Sequence, residues 1–177
     1  MSVPDQRQSL PIPLPQVDEI SKKERDDAMG AYFMTFATLS IGAPLPLLSL
    51  IVSVIYHLVN ARKSRFVAFH SLQSLLSEIP ISICNATVIV WGIAILVNGF
   101  NNGFAGTNLT AFWYCLLFTF AITIVYIIFS LIAAFRAQKG RFIYFWLIGP
   151  LVYRHYYILG KGPREPAPEL NLPPAGF

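Results

Sequence analysis

Charge is scarce in this sequence. Asp, Glu, Lys and Arg make up 12% of its 177 residues and hydrophobic residues 55%, where an ordinary soluble domain is about 25% charged. Between Arg65 and Arg136 the only charged side chain is Glu78. A water-soluble fold could not cover such a stretch with polar groups, so the composition places the chain among membrane proteins. Cysteine is also rare. Cys84 and Cys115 both lie in apolar runs, without CxxC spacing or clustered histidine, which excludes a disulfide framework and predicts no metal site. No nucleophile sits beside a base, so neither an enzyme nor a cofactor is expected. An early apolar run is missing too. The first begins only at Ala28, behind a proline-rich and then charged stretch, which predicts no cleaved secretory signal.

The basic residues fall into four groups: Arg7, Lys22, Lys23 and Arg25; Arg62, Lys63 and Arg65; Arg136, Lys139 and Arg141; and Arg154, Lys161 and Arg164. Each group flanks an apolar run, so the basic balance reports membrane topology and no nucleic-acid partner is expected.

Residues 1–20 carry Pro4, Pro11, Pro13 and Pro15 in a polar setting, which predicts a disordered arm. Ser21 with Glu24 three residues on fits a capping box, so a helix starts in water and turns apolar over residues 28–42. Pro44 and Pro46 then break it, since each removes a backbone donor and Pro44 pushes Ala43 away from helical angles. Further apolar segments span 47–59, 66–97 (with Pro80 a kink site) and 111–135, the last two separated by the charge-free, Gly- and Asn-rich stretch 98–110. Residues 142–158 are aromatic and too short to cross a bilayer. They predict a short interfacial or re-entrant helix with Tyr144, Trp146, Tyr153, Tyr156 and Tyr157 at headgroup level. The tail 161–177 is proline-rich and predicted disordered, leaving 21–160 as one helical membrane domain.

Residues 28–59 admit two readings, one kinked span or a hairpin turning at 42–46. Only the hairpin puts all thirteen basic residues on one face of the membrane. The expectation is therefore an all-α integral membrane protein of four hydrophobic helical segments, the first two a proline-broken hairpin, with both termini cytoplasmic and the bacterial inner membrane as its location. If the first two segments are too short to span, they form a re-entrant hairpin with the same orientation.

The third segment carries His70, Gln73, Ser74, Ser77, Glu78, Ser82 and Asn85 along one side of a 3.6-residue helix. A carboxylate at bilayer centre costs about 2.5–3.5 kcal/mol on insertion scales, so this stripe must face other helices or water. Two readings follow. Either Glu78 titrates or contacts a substrate along a polar pathway, or it locks helices together, neutral or paired with Arg136 or His57.

The basic loop and the run after it resemble the family of the small integral subunit of the chloroplast inner-envelope import translocon and its bacterial relatives. The matching positions are Arg65, Phe66, Val67, Phe69, His70, Gln73, Leu75 and Leu76, followed by Glu78. The proline-interrupted first stretch and the residues around Trp146 to Pro150 match more weakly. The resemblance implies four membrane segments, both ends on one side, and a role in moving proteins across a membrane. Together these readings predict a non-enzymatic subunit of a membrane complex that assists protein or solute passage, embedded in lipid and partnered by other membrane proteins or by itself. The alternative is an ion- or proton-coupled transporter using Glu78.

Overall fold

The computed structural model describes residues 12–37, 46–104 and 108–163, and these are all helix, turn or irregular chain with no strand among them. Helix α1 (Lys22–Ala37) opens at the expected capping box. The Glu24 N–H donates to Ser21 Oγ at 3.2 Å, and the Ser21 N–H donates to Glu24 Oε2 at 2.8 Å. Helix α2 (Pro46–Asn60) starts on Pro46, at the position where a missing N–H costs nothing. Pro44, the other half of the expected break, lies outside the described residues.

Helix α3 (Arg65–Asn102) is capped by Ser64, whose side chain accepts from the Val67 N–H, and runs on through Pro80. It ends five residues later than the sequence suggested, where Gly103 adopts φ 76° and its N–H returns to Gly99 O. Helix α4 (Leu109–Gln138) starts on an Asn108 cap. It closes with paired bonds from Gly140 to Ala137 O and from Arg141 to Arg136 O, and Gly140 at φ 69° makes that left-handed closure possible.

Two helices, α3 and α4, are long and apolar enough to cross a membrane. Of the four expected hydrophobic segments two, not four, are therefore long and apolar enough to span. Helix α2 has 15 residues, about 22 Å, and α1 keeps its charged residues through Asp27, so neither matches a hydrocarbon core of about 30 Å. The spanning windows of α3 and α4 are only 11% and 17% buried inside the chain. The core helix of a soluble protein would be covered, so these surfaces face lipid and the protein is a membrane protein. Polarity is reversed accordingly. Ser49, Ser53, Gln73, Ser74, Glu78, Ser82, Thr119 and Ser130 are buried while Ile93, Phe100, Leu117, Phe118 and Phe129 are exposed.

Helix α1 is central. It packs on α2, α3 and α4, whereas α2 and α4 share no contact among the described residues. Buried Ala28 on α1 shares a core cluster with buried Ala133, Ala134 and Ala137 on α4, and these small side chains let the two backbones approach. Helices α1 and α2 run antiparallel as the expected hairpin. The Tyr56 hydroxyl donates to Asp27 O at their shallow ends, while Thr35 and Ser53 meet at Glu78.

One end of the bundle collects the charges. Lys63 pairs with Asp27 at 2.9 Å, Gly140 lies against Arg25, and Gly162 lies against Arg65. The chain's described ends meet there too, with the Ile12 N–H donating to Tyr157 O. Ile12 and Leu14 pack on the C-terminal turn, so the expectation of an unpacked arm does not hold for residues 12–20, and residues 1–11 and 164–177 lie outside the described residues.

The C-terminal segment is not one interfacial helix. Residues 141–145 are neither helix nor strand, α5 (Ile148–Tyr153) is a short helix, and Arg154–Ile158 forms a π-helical turn. Trp146 is 88% exposed, as a headgroup-level residue would be, but Tyr156 and Tyr157 are buried against α3 with Phe69 and Val152. Gly149 makes this fold-back possible, because a Cβ there would sit 2.7 Å from Tyr144 Cα. Gly149→Ala should therefore lift the segment off α3 at a cost of about 1–3 kcal/mol, read as faster proteolysis after Arg141 and altered Trp146 fluorescence.

Candidate functional site: a buried polar junction

The α3 stripe turns inward and meets polar groups from the three other long helices. Its upper part is built around Tyr32 of α1, which is fully buried. Gln73 Nε2 donates to the Tyr32 hydroxyl at 3.0 Å, and the same hydroxyl is hydrogen-bonded to His70 Nδ1, also at 3.0 Å. The other ring nitrogen of His70, Nε2, has no partner among the described residues. Gln73 Oε1 accepts the Phe145 N–H at 3.4 Å, which ties the C-terminal stretch to the same network. An aromatic wall of Phe66, Phe69 and Phe142 surrounds the His70 ring at centroid distances of 4.5–5.7 Å.

The lower part centres on Glu78, which is 1% exposed. Its Oε2 accepts from Ser53 of α2 at 2.5 Å and from Thr35 of α1 at 3.3 Å. Thr35 also meets the Tyr126 hydroxyl of α4 at 3.1 Å, so one carboxyl group links all four long helices. Oε1 of Glu78 has no partner among the described residues. Ser74 donates to Ala31 O and Ser130 to Tyr32 O, fixing α1 from both sides. Ser77 donates back to Ser74 O within α3, and Ser82 is buried. Asn85 is half-buried and donates to Thr123 of α4, which marks where α3 leaves the junction.

Glu78 pairs with neither suggested partner: Arg136 is exposed at the charged end, and His57 bonds Ser71 at 2.8 Å. Burial, and secondarily the positive charge of His155, hold the His57 pKa below its usual 6.5. Folding thus favours neutral His57, and the stability it contributes is full above pH 6.5 and falls as pH drops through that value toward the lowered one. The melting temperature in detergent should fall between neutral and mildly acidic buffer, and His57→Gln should flatten that slope.

The sequence stripe named one wall of this junction and missed the others. Ser49, Ser53, His57 and Asn60 recur at spacings of 4, 4 and 3 on α2, and Thr119, Thr123, Tyr126 and Ser130 at 4, 3 and 4 on α4. These stripes carry the same helical period as the one on α3.

Residues 24–152 match the MamF/MmsF family, described as the magnetosome magnetite crystal formation protein family. The chain belongs to this family. The matched interval runs from the first turn of α1 into α5 and contains the whole junction. No curated protein and no solved structure matches the chain. The resemblance to the import-translocon subunit is corrected by this match, and the protein-passage role and the Glu78 transporter reading fall with it. The structure shows why those residues misled. Phe66 and Phe69 pack on Phe142, and His70 and Gln73 engage Tyr32, so most of the motif describes how a helix docks rather than what the protein handles. A MamF/MmsF-family protein meets the same packing problem as any helical membrane protein whose buried helix faces are polar.

Proposed function

We propose that this protein is a non-catalytic integral component of the membrane around a growing magnetite crystal, acting on crystal formation through that membrane and through other membrane proteins. The family match over 24–152 carries the reading, because that interval holds every long helix and every residue of the junction. Support for a structural role comes from the junction itself, whose hydroxyl, amide and carboxyl groups join α1, α2, α3 and α4 to one another. The charged end, where the described chain ends meet, faces the cytoplasm, in keeping with the positive-inside rule. The lipid bilayer covers the outer faces of α3 and α4, and nucleic acid has no part in the function.

The test is expression of a fluorescent fusion in a magnetite-forming bacterium stripped of its own family member. The fusion should surround the crystals, and crystal length in electron micrographs should shift away from the empty-vector control. A fusion spread evenly over the cell envelope, with crystals unchanged, would overturn the proposal. Crosslinking in those membranes should recover at least one membrane-protein partner or a second copy.

A further inference from the structure

The helices of the bundle are unequal in depth. Helices α3 (38 residues) and α4 (30 residues) are about 57 Å and 45 Å long, whereas α1 (16 residues) and α2 (15 residues) are about 24 Å and 22 Å. All four have one end at the charged face. Thr35 and Ser53 meet Glu78, and the seven residues from Ser53 back to Pro46 carry α2 only about 10 Å deeper. That is the level of Asn85, where α3 already turns to Thr123 of α4. Over the remaining 25 Å or so to Asn102, the neighbours of α3 among the described helices come from α4, with Trp91 and Gly92 lying against Phe112. Val90, Ile93, Val97 and Phe100 of α3 are exposed there, as are Trp113 and Leu117 of α4.

Among the described residues the charged end is therefore four helices wide and the opposite end two. The C-terminal segment widens the charged end further, since exposed Trp146, Leu147 and Leu151 flank exposed Arg141 and Arg154 in the pattern of an interfacial anchor. A body with more cross-section in one leaflet than in the other leaves a packing mismatch in a flat bilayer. The mismatch is relieved where the leaflet around the wide end has the larger area. We infer that the protein is a membrane wedge that favours phospholipid bilayers convex on the side of its charged end. This goes beyond the magnetite reading and rests only on the membrane embedding and the helix depths.

The experiment uses the full chain, reconstituted into phosphatidylethanolamine and phosphatidylglycerol vesicles of graded diameter. Density is read per vesicle by fluorescence. Orientation is read with a membrane-impermeant thiol reagent on Arg62→Cys, in a background of Cys84→Ala and Cys115→Ala, after helicity and a monodisperse detergent peak confirm folding. Density should rise severalfold from the largest to the smallest vesicles, and the fraction labelled from outside should rise with it. Equal density and unchanged orientation at every diameter would overturn the inference, as would enrichment with the charged end inside. Crosslinked pairs without any size dependence would also overturn it, because a second copy would then be filling the narrow end.

Discussion

Tyr32→Ala should be the most damaging single substitution in the chain. The ring is fully buried where α1, α3 and the stretch after α4 meet, and truncating a buried aromatic costs about 3–5 kcal/mol. Gln73 Nε2 would also lose its acceptor and His70 Nδ1 its partner in the same step. Tyr32→Phe separates the two contributions. It keeps the ring and removes the hydroxyl, and should cost about 1–3 kcal/mol through the two stranded partners, toward the lower end because intramembrane hydrogen bonds average about 0.6 kcal/mol. Melting of the detergent-solubilised protein, followed by its monodisperse fraction, reads both. Equal melting of Tyr32→Phe and wild type would show that the His70–Tyr32–Gln73 chain contributes nothing to stability.

Glu78→Ala should have the next largest effect. Ser53 and Thr35 would both lose their acceptor, and a void would open where the four long helices converge. The expected cost is about 2–4 kcal/mol, combining unsatisfied hydroxyls with a modest cavity. Glu78→Gln keeps an oxygen acceptor at nearly the same place and should melt close to wild type. The comparison therefore asks whether the junction needs an acceptor or specifically a carboxyl group. Should Glu78→Gln fall as far as Glu78→Ala while both remain helical, the acceptor account would be abandoned.

How much of this was legible in the sequence depended on how local each signal was. The Ser21–Glu24 cap was readable because it closes within four residues. The α3 stripe was readable because polar side chains at helical spacing are rare in a charge-poor segment. Depth was not readable. Charge bias fixes which side a loop occupies and says nothing about how far a short hairpin reaches, so of four apolar runs two gave described helices long and apolar enough to cross. The hydroxyls on α2 and α4 gave a weak signal, since serine and threonine can bond their own helix carbonyls and need no neighbour. Tyr32 offered none. Whether a tyrosine sends its hydroxyl to a headgroup or into a core is decided by the tertiary partners it meets.

The placement of α1 between helices made later bears on how the protein is built. Tyr32 leaves the ribosome 98 residues ahead of Ser130, which bonds its carbonyl. At about 5–20 residues per second, that interval is roughly 5–20 s. Throughout it Thr35 and the Tyr32 carbonyl lack their partners on α4, and for part of it Thr35, Ser53 and the Tyr32 hydroxyl also lack theirs on α3, so the nascent hairpin is a poor candidate for early release into lipid. Its insertion belongs late in biogenesis, with the insertion machinery or bound water sheltering the hydroxyls until α3 and then α4 arrive to take them over.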